Sequence, residues 1–542
     1  MGLKVSFESA YTIQDDARQH IFWMQQFRDN ELFQDDLIAD YFKSVSPWGF
    51  TQLYKIINFF GIDIFGFNKI LPLLLGIVTT VYCYLVCLEF IPVPIAGFFS
   101  CLLLNQNLWM VDDLASGTPR AFIYALLLAF IYFILKQNTA LAVLIIFLQG
   151  LFYPQVVLLS SVILLISWSR NRTTKYILFG GLLSAIIILS FYAFNSSGFG
   201  NVVSLDAAKL LPEFRPGGRN AFFVDSWWEF WLTGRRSGLF PIEWQYILMS
   251  SYGIFILWLP AFPKTFPLIQ KINAKILILG DILLASILMF ILAHLLLFQL
   301  HLPGRYTQHT IRIIIALVDG IVLSIVVNFL FRKINQALKD YYNLCKIAVL
   351  AIVICLLLYP TYAVQSYPQR LGYVTGKTPQ LYQFLQQQPK DSLIASLSQE
   401  ADFIPSFTGR SVLIAQEYGI PYHQGYYRKF RHRVQDLITA QYSLNIATIR
   451  NFIQKYNIDL WLLDKNSFEV EYLSSNSWLM QFETVTNKAI HILQKNQQPL
   501  LQKSLNITEG TLIDSMGNQV ILDRCTVFNQ DNLVVLSAKC LL

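Results

Sequence analysis

Long apolar runs separated by short polar connections fill the middle of the chain, at residues 69–88, 91–108, 119–136, 140–152, 153–169, 176–194, 245–262, 276–300, 311–331 and 346–363. About 20 apolar residues in a helix match the hydrocarbon thickness of a bilayer, and helices satisfy every backbone polar group inside it. The pattern therefore predicts an α-helical polytopic membrane bundle of about ten spans. The fourth and fifth runs are short and meet at Gly150 and Tyr153-Pro154. They predict a hairpin of half-length helices covered by their neighbours, since irregular backbone at membrane depth needs protein around it.

The rhythm changes on either side of these runs. Before them, Asp15-Asp16 precedes a helical stretch carrying Phe22 and Trp23, and Thr51–Phe60 forms a second one. Both read as helices lying on the membrane surface. After residue 363, the short apolar runs Ser392–Leu397, Ser411–Ala415 and Ile458–Leu463 read as buried strands. A helical stretch over 429–456 separates the last two, and a strand pair is expected at 520–523 and 533–536. Alternating strand and helix predicts an α/β domain. The expected division is an outer segment at 1–68, the bundle at 69–363 and a C-terminal extracytoplasmic α/β domain at 364–542.

Composition supports the membrane reading. The 542 residues are 54% hydrophobic and only 14% charged, with a mean hydropathy of +0.46, whereas soluble domains carry about 25% charged residues. The formal charge of +7 changes the picture through its placement. Lys136, then Arg170, Arg172 and Lys175, then Lys264, Lys271 and Lys275, then Arg332, Lys333, Lys339 and Lys346 occupy alternate connections, which the positive-inside rule assigns to the cytoplasm. The opposite connections and both termini are then outside. An outer N-terminal segment needs something to export it, and residues 1–14 contain no signal peptide. One more apolar helix is therefore expected upstream in the natural reading frame. No basic face on a soluble module is present, so nucleic-acid binding is not indicated.

Of the seven cysteines, Cys83, Cys87, Cys101, Cys345 and Cys355 lie in or beside apolar runs without metal-ligand spacing and read as small hydrophobes. Cys525 and Cys540 lie in the tail, where they form a disulfide or remain as thiols.

Candidate chemistry gathers in the outer connections. Asp15 and Asp16 read either as a helix cap or as a general base or metal ligand. Asp112-Asp113 in the next outer loop carries the same two readings. Arg215, Arg219, Arg235 and Arg236, with Trp227, Trp228 and Trp231, occupy a long loop where positive charge is disfavoured. His301 and Arg305 lie in the next short loop. Arginine forks suit phosphate oxygens, of membrane lipid headgroups or of one specific lipid.

This layout resembles the GT-C membrane glycosyltransferases, which include protein mannosyltransferases, oligosaccharyltransferases and the aminoarabinose transferase group. The resemblance rests on Asp15-Asp16-Ala17 in a first outer loop, a second acidic pair after the next hairpin, the bundle and the outer domain, and it covers about residues 10–363. It implies transfer of a sugar from a polyprenyl-phosphate carrier to an acceptor outside the cytoplasm. By that resemblance Asp15 or Asp16 is the base, Asp112 or Asp113 assists by binding acceptor or metal, and Arg305 with Arg219 or His301 holds the carrier phosphate. A divalent metal is implied only for diphosphate donors. The competing reading is a non-catalytic or transporting membrane protein, such as a lipid or polymer export component.

Overall fold

The computed structural model describes residues 2–109, 111–194, 198–240, 251–337, 341–363, 371–505, 509–513, 519–523 and 525–542. The protein is an α-helical polytopic membrane bundle with a C-terminal domain built on a sheet. Among the described residues, five helices are long and apolar enough to cross a bilayer: Ile64–Phe90, Lys175–Phe194, Ala274–Leu295, Gly304–Ala337 and Tyr342–Tyr359. At a rise of about 1.5 Å per residue, the first is about 40 Å long and spans the hydrocarbon with room to tilt.

Shorter helices complete the bundle. Pro94–Trp109 and Ile123–Leu135 pack beside Ile64–Phe90. The expected hairpin consists of Thr139–Phe152 and Gln155–Ser169, each about 21–23 Å long. Pro154 lacks the N–H that would continue one helix into the next. Two close contacts hold the pair in the bundle. Ser160 donates to Gln149 across it at 2.7 Å, and Gly150 lies so close to Ile188 that an added Cβ would sit 2.4 Å from its Cγ1.

One expected span is corrected. Positions 245–250 of the run 245–262 lie outside the described residues, and the remainder is a series of 3-10 turns at Ser251–Leu257 and Leu259–Ala261. Further 3-10 turns follow at Pro267–Lys271 and Ala274–Leu277. Pro260, Pro263 and Pro267 interrupt the amide ladder of an α-helix here.

Two ion clusters bring the basic connections to one end of the bundle. Asp281, fully buried, accepts from Arg170 at 2.8 Å and Arg172 at 2.6 Å. Glu89 pairs with Lys136 and Lys275, each at 2.6 Å.

At the other end, the N-terminal segment and the tail are joined. Strand β1 (Thr12–Gln14) pairs antiparallel with β2 (Tyr373–Thr375). Phe22 and Trp23, expected at a membrane surface, have no exposed area. Phe22 packs on Tyr418 of the tail with ring centroids 5.3 Å apart, so tail side chains, not lipid, cover this apolar face.

The tail carries a five-stranded sheet of β3 (Leu393–Ser396), β4 (Ser411–Val412), β5 (Leu460–Asp464), β8 (Thr526–Gln530) and β9 (Leu533–Ser537), in the order β4-β3-β5-β9-β8. Strands β3, β4 and β5 run parallel, and β9 is antiparallel to β5 and β8. The expected pairing of 520–523 with 533–536 is corrected: β7 (Gln519–Asp523) pairs with β6 (Glu509–Ile513). The helical stretch over 429–456 is two helices, Gln424–Gln441 and Ile446–Tyr456, because Asn445 caps the second by accepting from Ala447 N–H at 2.8 Å. Cys525 and Cys540 form a disulfide, with Cα atoms 5.4 Å apart. Closing 15 residues this way stabilises the tail by about 3 kcal/mol in the chain-entropy account. Replacing both cysteines with Ser is expected to lower the tail's unfolding temperature. Maleimide labelling of intact membranes should leave both sulfurs unmodified until a reductant is added.

Candidate functional site

Three aspartates from two distant segments converge on one arginine. Asp15 and Asp16 open the short helix Asp15–His20, whose cap is Gln14, its side chain accepting from Ala17 N–H at 3.2 Å. The aspartates therefore do not cap the helix. They occupy its first turn, where negative charge complements the free amides. Asp112 and Asp113 open the helix Asp112–Ala115 without capping it. The chain then turns at Gly117, whose φ of +59° suits glycine. An added Cβ there would lie 2.6 Å from the Asn68 amide, which itself donates to the Ser116 and Gly117 carbonyls at 3.3 and 3.1 Å. Pro119 opens the following 3-10 turn, Pro119–Phe122, and this turn carries Arg120.

The Arg120 guanidinium lies 2.5 Å from Asp16 Oδ2, 3.3 Å from Asp112 Oδ2 and 3.2 Å from Asp113 Oδ1. Further arginines complete the cluster. Arg235 reaches Asp112 at 3.0 Å, Arg305 reaches Asp113 Oδ1 at 3.3 Å, and Arg312 reaches Asp113 Oδ2 at 2.7 Å. Tyr124 donates to Asp113 Oδ2 at 3.2 Å and lies 3.0 Å from His309 Nδ1. Arg305, His309 and Arg312 share one face of the long helix Gly304–Ala337, at spacings of four and three residues. The loop carrying Arg235 is pinned to the start of that helix. Gln308 donates to the Arg235 carbonyl at 3.2 Å, and the Gly304 amide donates to the Arg236 carbonyl at 3.0 Å.

A second cluster adjoins the first. Arg18 pairs with Asp15 and lies 3.0 Å from Glu417, and Arg219 reaches the other oxygen of Glu417 at 2.6 Å. Glu417 belongs to the tail, so this cluster ties the N-terminal segment and the long loop to that domain. Arg18 also lies over the Phe403 ring, 4.6 Å from its centroid.

Of the sequence candidates, Asp16, Asp112, Asp113 and Arg305 meet in the Arg120 cluster, and Asp15 and Arg219 meet around Glu417. His301 is in the loop above the long helix, its ring 6.5 Å from that of Tyr153. Sequence reasoning did not single out Arg120, Tyr124, His309 or Arg312. The helical spacing of 305, 309 and 312 was the available signal for two of them.

Electrostatics separates the aspartates. Burial opposes the charge of Asp113, but its guanidinium neighbours, Arg120 foremost, hold the carboxyl well below the usual range. Asp16 is lowered in the same way: burial raises it, and Arg120, His20, Arg235 and Arg305 together outweigh that effect. His301 is pushed down to about 3, by burial first and then by Arg305, Arg120 and Arg236, so at neutral pH it is an uncharged imidazole. Asp113 has donors on both oxygens. Asp16 makes one hydrogen bond among the described residues, through Oδ2 to Arg120, and its side chain is 33% exposed.

These groups do not fit a divalent metal. Such an ion needs several uncommitted oxygens, and the three carboxylates already pair with four arginines. Among the described residues, no group of three or more His, Cys, Asp and Glu side chains is disposed to hold a metal. Two apolar hollows of about 240 and 340 Å³, sharing Thr80 and Val81, lie between Ile64–Phe90 and Pro94–Trp109, and none of the acid or arginine groups lines them.

No protein-family model matches the chain, and no curated protein does. Among solved structures, it is similar to the apo oligosaccharyltransferase of Archaeoglobus fulgidus at 12% identity and a TM-score of 0.48, over 96% of this chain and 73% of that one. Archaeal oligosaccharyltransferase AglB of the same organism, in complex with an inhibitory peptide and a dolichol-phosphate, is similar at 12% identity and a TM-score of 0.45, over 88% and 66%. The Archaeoglobus fulgidus enzyme in complex with Zn and sulfate is similar at 12% identity and a TM-score of 0.39, over 88% and 64%.

The depressed acidity of Asp113 gives a pH prediction. A carboxylate whose folded pKa lies below its unfolded value of 3.8 stabilises the fold fully above that value and loses the contribution as pH falls through the folded pKa. Asp113→Asn removes the buried carboxylate charge that Arg120, Arg305 and Arg312 share and should cost about 3–5 kcal/mol. In thermal unfolding of the detergent-solubilised protein, the gap between wild type and Asp113→Asn should stay constant from neutral pH down to about pH 5 and shrink below about pH 4.

Proposed function

We propose that this chain is a GT-C type membrane glycosyltransferase that moves a sugar from a polyprenyl-phosphate carrier to an acceptor hydroxyl outside the cytoplasm. The carrying observation is the convergence of Asp16, Asp112 and Asp113 with Arg120, Arg235 and Arg305 at the end of the bundle opposite the basic clusters. The positive-inside rule puts that end and the tail outside the cytoplasm, and the Cys525–Cys540 disulfide suits an oxidising compartment.

In this reading Asp16 is the base. Its partly exposed carboxylate takes the acceptor proton while the acceptor oxygen bonds to the anomeric carbon. The bond from that carbon to the carrier phosphate breaks in the same displacement, inverting the centre, and the phosphate leaves with the electron pair. Arg305, largely buried, stabilises the charge growing on the phosphate as a fixed cation at a partly water-excluded site does, and the more exposed Arg235 adds to it. Neutral His301 contributes a hydrogen bond. Asp112 and Asp113 orient Arg120, Arg235, Arg305 and Arg312. Arg219, paired with Glu417, positions the tail over the site.

A transport pathway would call for titratable groups running through the spans. Of the buried acids in the described spans, Asp281 is instead paired with Arg170 and Arg172, and Asp319 accepts from the Gly253 amide. The deciding measurement is transfer of a lipid-linked sugar by membranes carrying the full protein. Asp16→Asn should lower the rate by about 100-fold or more, the usual contribution of a general base. Equal rates for wild type and variant would remove Asp16 from the mechanism.

A further inference from the structure

We infer that Trp227 and Trp228 of the long loop insert into the interfacial layer of the bilayer, among zwitterionic lipid headgroups, and so hold the Arg235-Arg236 turn at the acidic cluster. The inference stands whatever reaction that cluster performs.

The first ground is position. Helix Ile278–Leu295 carries Asp281 in its first turn and His294 in its last, about 20 Å apart along the axis. Asp281 belongs to the basic end of the bundle, so His294 lies toward the opposite end. The long loop is fastened there. Trp231 packs on the His294 ring with centroids 4.6 Å apart, Phe230 does so at 5.5 Å, and His294 Nε2 donates to the Ser237 carbonyl at 3.0 Å. On the same helix Leu284, Leu288, Ile291 and Leu295 are exposed, at the spacings of one helical face. In a helix long and apolar enough to cross a bilayer, such a face is covered by lipid. His294 adjoins the last turn of that face, so the loop continues the lipid-covered surface into the headgroup layer.

The second ground is exposure and charge. Trp227 and Trp228 are 68% and 63% exposed. Indole rings concentrate at the headgroup level, where the ring leaves water and the N–H still finds an acceptor. Residues 221–234 contain no Lys or Arg, and exposed Asp225 and Glu229 flank the pair. Anionic headgroups are therefore repelled here. What suits this edge is a zwitterionic interface entered by apolar area, not an acidic lipid held by charge.

The third ground is the connection to the arginine turn. The Leu239 and Phe240 amides donate to the Trp231 and Leu232 carbonyls at 2.9 and 2.8 Å, and the Gly238 amide donates to the Gly234 carbonyl at 2.8 Å. These bonds close residues 231–240 into one unit. Within it Arg235 reaches Asp112 at 3.0 Å, and Gln308 donates to the Gly234 and Arg235 carbonyls at 3.3 and 3.2 Å. Fixing the tryptophan edge in the membrane fixes the depth of the arginines that follow it.

The test uses the full-length protein in nanodiscs of phosphatidylcholine alone. The photoreactive residue p-benzoylphenylalanine replaces Trp228, Ile291 or Val527 in three separate variants. Ile291 is on the lipid-covered face, and Val527 is exposed on strand β8 of the tail. Irradiation should attach phosphatidylcholine to position 228 about as well as to 291, and about 10-fold more than to 527. A yield at 228 no greater than at 527, adducts that form only when an anionic lipid is added, or crosslinks to a second copy of the chain would overturn the inference.

The hold on the arginine turn is read by hydrogen exchange in the same nanodiscs. With Trp227→Ser and Trp228→Ser combined, the amides of residues 231–240 should exchange about 10-fold faster than in wild type while the tail sheet is unchanged. Unchanged exchange in 231–240 would remove the membrane from the positioning of Arg235. Should the double variant fail to fold, the crosslinking variants still decide whether Trp228 meets lipid.

Discussion

The end of the bundle that meets the tail depends on one constraint, which is that Asp113 is a carboxylate with 7% of its side chain exposed. A buried charge of that kind is tolerated only when paired and hydrogen-bonded. Arg120, Arg305, Arg312 and Tyr124 meet that demand from three separate elements. To satisfy it, the 112–120 turn must pack against the long helix Gly304–Ala337, which fixes where Arg120 points. Asp16 and Asp112 then find their partner already in position. The cluster is held by its own electrostatics.

The tail is brought to this site by a different kind of interaction. Backbone pairing of β1 with β2 joins residues far apart in the chain, and the Asp15 amide extends the junction by donating to the Gly372 carbonyl at 2.7 Å. The apolar face of Phe22 and Trp23 closes against tail side chains, and Glu417 binds Arg18 and Arg219 on the polar side. Apolar burial gives this junction its strength and the ion pairs give it register. The acidic pair of the first segment consequently sits at the boundary between bundle and tail.

The membrane-spanning helices were the most legible part of the sequence, because a long apolar run such as 311–331 has one stable outcome in a bilayer. The failures have local causes. The run 245–262 is as apolar as its neighbours, yet Pro260, Pro263 and Pro267 leave 3-10 turns through 251–277. Phe22 and Trp23 have the composition of an interfacial helix, and hydropathy cannot distinguish a face covered by lipid from one covered by protein. In the tail, β7 and β9 are both good strands, and their partners are set by chain geometry that a strand's own residues do not encode.

By itself, then, the sequence determined the solvent of this protein, the course of most helices and the presence of acidic pairs and arginines in the same set of connections. These follow from short-range regularities: run length, helical spacing and the alternation of basic loops. Only the tertiary structure decided which acid meets which base. Asp16 and Arg120 are 104 residues apart, Asp113 and Arg312 are 199 apart, and Arg18 and Glu417 are 399 apart. No local pattern carries such pairings, because they arise when helices of matching length pack side by side and bring distant loops to the same depth. That packing turned two aspartate pairs with several competing readings into one cluster centred on Arg120.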